Sequence, residues 1–238
     1  MGVLRRRAGA GVIVLTVLGL ISAGCGDDST DDGPASSSSE EPTSLAEKLL
    51  PAREFPDGYQ PTELGIVDLR DQNAAALAAA QTAVFEPAQC RPTADADLNG
   101  QLDAGNAAVS ARQSPVGNTI TELVTTAVRD IDADVRTSTG ACARVTVTIT
   151  QGSTAGTTVA TDNQRLSPPP LPTSVSLLVK STATTTYPGG RTDVQQTLAG
   201  YAVVDGTTVQ VVAISSEGGM SDLGFSDLFK RAVLRAAA

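Results

Sequence analysis

Chemistry in this chain is bounded first by a missing side chain. Histidine is absent from all 238 residues, which excludes imidazole triads and dyads, zincin motifs and imidazole metal sites. No G-x-S-x-G, P-loop or S-x-x-K spacing occurs, and the three lysines, Lys48, Lys180 and Lys230, sit in no catalytic pattern. Paired carboxylates need no signature, so a hydrolase working through Asp or Ser alone stays open. A sugar site would ask for aromatic platforms, and the chain has three Tyr, four Phe and no Trp. One run has metal-ligand spacing. In DADLNGQLDAGN, residues Asp95, Asp97, Asn99, Gly100, Leu102 and Asp103 fall on the first, third, fifth, sixth, eighth and ninth positions of a calcium-loop pattern. Its last position is Asn106, which lacks the bidentate carboxylate, and Pro92 with Cys90 stands where an incoming helix belongs. The competing reading is a helix start capped by Thr93, with Asp95 and Asp97 in its electropositive first turn. No catalytic residue, cofactor or metal is therefore assigned, calcium at Asp95, Asp97, Asn99 and Asp103 being the one candidate.

Three cysteines, Cys25, Cys90 and Cys142, remain. Cys25 ends a tripartite leader. A basic stretch, Arg5–Arg7, precedes an apolar run from Val12 to Ile21, and small residues follow. The run is shorter than the roughly 20 residues a membrane span needs. Ser22-Ala23-Gly24-Cys25 resembles the bacterial lipobox, with Ser22 where Leu is usual. The resemblance implies cleavage before Cys25, diacylglycerol on its thiol and acylation of the new N-terminus, as with palmitate. Two or more chains anchor stably where one is marginal. An ordinary secretory signal with an incidental cysteine is the alternative. Residues 1–24 are thus read as a lipoprotein signal peptide.

Residues 25–44 carry six acids, many serines and no bulky apolar group past Cys25. They read as a disordered, solvated tether, or as a phosphorylated or O-glycosylated tract. With Cys25 given to lipid, Cys90 and Cys142 form an even pair in an oxidising compartment, and a disulfide is expected. Two buried free thiols are the other reading. No C-x-x-C occurs, which removes a redox motif.

The formal net charge is −9, and the leader holds three arginines and no acid, so the remainder is more acidic still. No basic run follows Arg7. Nucleic acid is excluded as a partner, as is adsorption to anionic headgroups by charge.

The elements that would position these residues lie in 45–238. Ser44 and Glu47 read as a capping box ahead of a short helix ended by Pro51. Phe55–Tyr59 is a turn, and Leu64–Leu69 a short extended segment or loop. Asp71–Val84 is Ala-rich and reads as a helix, with another around Ala96–Ala104. Ala107–Arg112 and Thr119–Arg129 alternate as strands. Asp130–Cys142 reads as a helix delivering Cys142. From Ala143 the period is two through five further segments, broken by turns such as YPGG and VDGT. Phe225, Leu228, Phe229, Ala232 and Val233 are spaced for a closing helix. The fold class is α+β: helices packed on a curved antiparallel sheet, a single domain after a signal peptide and tether. Tyr59, Tyr187 and Tyr201 either line a cleft or cover the rim of the core.

LLPAREFPDGY, EPAQC after an Ala-rich helix, Cys142 leading into ARVTVTI, the VVDGTTVQVVAIS hairpin and the closing helix together carry a resemblance. The layout of 45–238 is similar to small actinobacterial envelope lipoproteins and to the extracellular sensor domains of mycobacterial receptor serine/threonine kinases. Those sensors have two disulfides, and here one is possible. The resemblance implies a helix-and-sheet domain with a cleft. The expected function is a lipid-anchored, non-enzymatic binding or sensing domain on the extracytoplasmic face of the cell membrane. Its expected ligand is a lipid or other small envelope molecule. A module that scaffolds an envelope protein is the alternative, with a histidine-independent hydrolase behind it.

Overall fold

The computed structural model describes residues 44–238. The signal peptide, Cys25 and all but the end of the tether lie outside the described residues.

Nine strands form one open sheet. They are β1 (Gln60–Pro61), β2 (Val84–Glu86), β3 (Ala107–Gln113), β4 (Thr119–Thr125) and β5 (Arg144–Thr148), then β6 (Thr158–Leu166), β7 (Ser176–Thr186), β8 (Thr192–Val204) and β9 (Thr207–Ser215). The order across the sheet is β1-β3-β4-β9-β8-β7-β6-β5-β2, with every pair antiparallel. The period-two segments of the sequence therefore all pair in chain order from β5 to β9. The β8–β9 hairpin turns on Asp205 and Gly206, at φ of 48° and 75°. Both values are positive, as a two-residue hairpin loop twisted like its strands requires. Thr119–Arg129 is strand only as far as Thr125, and Arg129 lies in the connection to the next helix.

Helices cover both faces. On one face lies α4 (Asp222–Ala236), capped by Ser221, whose hydroxyl accepts from the Gly224 N–H at 3.1 Å. Its buried residues Phe225, Leu228, Phe229, Ala232, Val233 and Ala236 recur at three- and four-residue spacing. They pack on Ile120, Leu178, Leu198, Val209 and Val211 of the sheet. Gly200 on β8 lets the helix come this close. A Cβ there would stand 2.5 Å from the Phe229 ring. The strap leading to β1 lies on the same face, with Leu50 and Phe55 in the same cluster. The expected capping box at its start is not made. Leu45–Lys48 is one 3-10 turn without a side-chain cap from Ser44, and Lys48 Nζ donates to the carbonyl of Ala236 at 2.6 Å.

The opposite face carries α1 (Ile66–Thr82), α2 (Ala94–Asn99) and α3 (Ile131–Ser138). α1 begins before the expected Asp71, because Asp68 Oδ2 accepts from the Gly65 N–H at 3.0 Å and closes an earlier first turn. Leu64 stays outside it, while Ile66, Val67 and Leu69, expected as extended or loop, are helical. At one end Leu69 packs with Ala107 and Leu123, and at the other Ala80 packs with Phe85 and Val147. The helix thus crosses the sheet, a span of about 25 Å for its 17 residues. α2 starts at Ala94 and is over before the expected Ala104. α3 is capped by Asp130, whose carboxylate accepts from the Ala133 N–H at 2.8 Å. It ends at Ser138, and a separate 3-10 turn, Gly140–Cys142, brings Cys142 to Cys90. The two are disulfide-bonded, with Cα atoms 5.4 Å apart. The α+β class and the pairing of helices with an antiparallel sheet stand as read.

Candidate functional site

Between α2 and α3 above and the middle of the sheet below lies a partly enclosed cavity of about 100 Å³. The strand period builds its floor. Side chains two apart share a face, and the registers bring Val145 and Val147 of β5, Leu177 and Val179 of β7, and Ala199 and Tyr201 of β8 to one surface. Phe85 and the buried Cys90 close one end. Asn163 and Ser181 form a polar spot on the floor. Ser181 Oγ donates to Asn163 Oδ1 at 2.7 Å, and Asn163 Nδ2 donates to the carbonyl of Cys142 at 3.1 Å. The disulfide thus connects, through one hydrogen bond, to the floor of the cavity.

The other end is charged. Arg129, its side chain fully buried, donates from Nε and Nη2 to both oxygens of Asp134 at 2.6 and 2.8 Å. Its Nη2 also donates to Asp95 Oδ1 at 2.7 Å, and Nη1 to Gln210 Oε1 at 3.2 Å. The guanidinium lies over the Tyr201 ring, 4.1 Å from its centroid. The backbone fixes this arrangement as well: Arg129 N–H donates to Thr208 Oγ1, which donates to the Ala127 carbonyl. Burial alone would lower the guanidinium, but the charge of Asp95, the Tyr201 phenol and Asp134 hold it above its ordinary range. Burial pushes the Asp134 carboxyl up, with Arg129 pulling it back and Asp95 and Asp130 adding to the push. Burial likewise raises the Tyr201 phenol, so it remains a neutral donor at physiological pH. Tyr201 is 3% exposed and lines the cavity, whereas the orphaned buried phenol is that of Tyr187.

The calcium candidates do not converge. Asp95, Asp97 and Asn99 lie on α2 rather than along a loop, and positions two apart on a helix point about 200° apart. Asp95 turns to Arg129, and Asp97 is exposed. Asn99 Nδ2 donates to the Arg70 carbonyl, and Asp103 Oδ1 accepts from the N–H groups of Gly105 and Asn106. Among the described residues no group of three or more Asp, Glu, Cys or His is gathered for a metal ion. The three tyrosines also separate. Tyr201 lines the cavity, Tyr187 stands at the β7–β8 turn and Tyr59 packs on the α4 side.

Arg129, Asp134 and Gln210 are site residues that the sequence reading passed over. The one signal is the charge-dense run RDIDADVR beside an apolar strand, which also fits a solvated helix start. A second missed residue is Glu122 on β4, fully buried beneath the strap. Its Oε2 accepts from the Leu50 N–H at 2.9 Å, and its Oε1 has no partner among the described residues. Burial pushes this carboxyl up to about 7, against the pull of the Leu50 N–H and of Arg235. The strict alternation Ile120-Glu122-Val124 places it inward and was the available clue.

No helix among the described residues is long and apolar enough to cross a membrane. No protein-family model, no curated protein and no solved structure matches this chain.

Proposed function

We propose that the chain is a lipoprotein held at the extracytoplasmic face of the cell membrane through Cys25, and that its domain binds a small envelope molecule without transforming it. The cavity between α3 and the sheet carries this reading: an apolar floor with a few convergent polar groups is the common form of a small-molecule site. The lipobox-like leader and the disulfide support an exported location. Large apolar side chains exposed elsewhere, such as Val67, Val116, Val194 and Leu223, sit on different elements, which favours a pocket over a flat docking module. Native mass spectrometry of the full chain extracted from its membrane tests the proposal. A reproducible small-molecule adduct, lost on denaturation, is the expected result; a bare protein after extraction in mild detergent, together with no uptake from an envelope lipid extract, overturns it.

A second reading rests on one observation: Asp95 and Asp134 stand close in a cavity, and the Asp134 carboxyl is raised. Such a pair could serve a hydrolase that dispenses with imidazole. Against it, Arg129 engages both oxygens of Asp134 and Oδ1 of Asp95, so both carboxylates are bound as ion-pair partners of one guanidinium.

A further inference from the structure

The charged end of the cavity does not balance. Two carboxylates, Asp95 and Asp134, face one guanidinium, and Asp130 adds its field to Asp134. The positive partner of Asp130 is the exposed Arg136, at 3.6 Å. No lysine lines the cavity. Of the carboxylate oxygens that line it, Asp95 Oδ2 has no partner among the described residues, since Arg129 takes only Oδ1. Tyr201, nine-tenths and more buried, lines the same cavity, and its hydroxyl makes no hydrogen bond among the described residues. A surplus negative charge held partly away from water, as on the 16% exposed Asp95 side chain, favours a positive partner. The rest of the wall, Phe85, Val147, Leu177 and Val179, is apolar.

Resting on the reading of this cavity as a binding site, we propose that its ligand is an organic cation: a primary ammonium on a compact apolar body. The ammonium donates to Asp95 Oδ2 and to the Tyr201 oxygen, and the apolar body lies on the β5–β7 floor. The volume of about 100 Å³ is smaller than the roughly 150 Å³ of an engineered cavity that holds benzene, so the enclosed part is a short branched chain or the edge of one ring. The open side lets a larger molecule continue outward.

Three probes of one shape separate the possibilities: benzylamine, benzyl alcohol and benzoate, titrated into the full chain in detergent and followed by saturation-transfer NMR. Benzylamine binds about tenfold more tightly than benzyl alcohol, the worth of one charge-assisted contact, and benzoate does not bind. Asp95→Asn keeps an acceptor for Arg129 and removes the surplus charge, so the preference of amine over alcohol disappears. In the unaltered protein, raising the pH past the titration of the amine itself removes the same preference, a check that needs no variant. Val147→Trp fills the cavity and abolishes binding of both. Benzoate binding as well as benzylamine, or a preference that survives both Asp95→Asn and the pH change, overturns the cationic ligand while the cavity reading stands. Failure of all three probes, or binding unaffected by Val147→Trp, removes the cavity reading and the cation with it.

Discussion

Glu122 shows how one side chain couples the strap to solution pH. Its carboxyl is pushed up by burial from an ordinary 4.5 to about 7. The folded protein therefore holds this proton more tightly than the unfolded chain. Stability from this group is greatest below about pH 4.5, falls as pH rises toward 7 and is level above it. The loss is about 3 kcal/mol, at about 1.4 kcal/mol for each unit of pKa difference. Glu122→Gln keeps an oxygen for the Leu50 N–H and cannot ionise. Urea unfolding at pH 5 and pH 8 is expected to show the variant gaining on the parent by about 2.5 kcal/mol at the higher pH, part of the loss having already occurred at pH 5. Equal slopes for the two proteins would show that Glu122 does not carry the effect. At this scale the sequence was legible where a residue type has few options. Two cysteines left over in a chain read as exported led to the disulfide, and the inward position of Glu122 follows from alternation. Arg129 was hidden, because its meaning depends on Asp95, Gln210 and Tyr201, far off in the chain and brought together only by the sheet.

At the scale of elements, periodic segments were read well and their ends poorly. β5 to β9 and α4 carry their pattern in every residue, whereas the start of α1 is decided by one hydrogen bond from Gly65 to Asp68. α2 was the more instructive case: acids at alternate positions fit a metal loop on paper, and a helix turns them to different sides. The two 3-10 turns Ala88–Cys90 and Gly140–Cys142 hold little structure alone, so the bond between them secures the roof of the cavity. With a sequence separation of 52 residues between its cysteines, the disulfide stabilises by about 4 kcal/mol in the chain-entropy account. Replacing both cysteines, Cys90→Ala with Cys142→Ala, is expected to lower the unfolding free energy by about this much. It is also expected to raise hydrogen exchange in α3 and β5 more than in α4. Uniform loss of protection across all helices would argue against a local role.

For the whole molecule, the fold class was within reach of the sequence, but the order of strands was not. Hairpins explain β5 through β9, yet nothing local says that β4 should pair with β9, which places β3 and β4 beside the last strand. The cavity has the same origin, since its walls come from α2, α3 and five strands. The proposed anchor belongs to this scale too. Cys25→Ala is expected to send the protein into the medium or leave it unprocessed, read by fractionation and intact mass. A variant still fixed to the membrane and processed as before would overturn the lipid anchor.

The place of β9 has a consequence in time. Hydrogen bonding on one side of it joins β4 and, on the other, β8, so within the sheet β1, β3 and β4 are joined to the remaining strands only through Thr207–Ser215. The same strand supplies Thr208 and Gln210 to hold Arg129. A chain emerging N-terminus first cannot close this sheet, or assemble the charged end of its cavity, until nearly its whole length is out. Pairings so distant in sequence are slow to form, which in the lipoprotein proposed above would keep the polypeptide threadable through an export channel and defer its folding to the far side of the membrane.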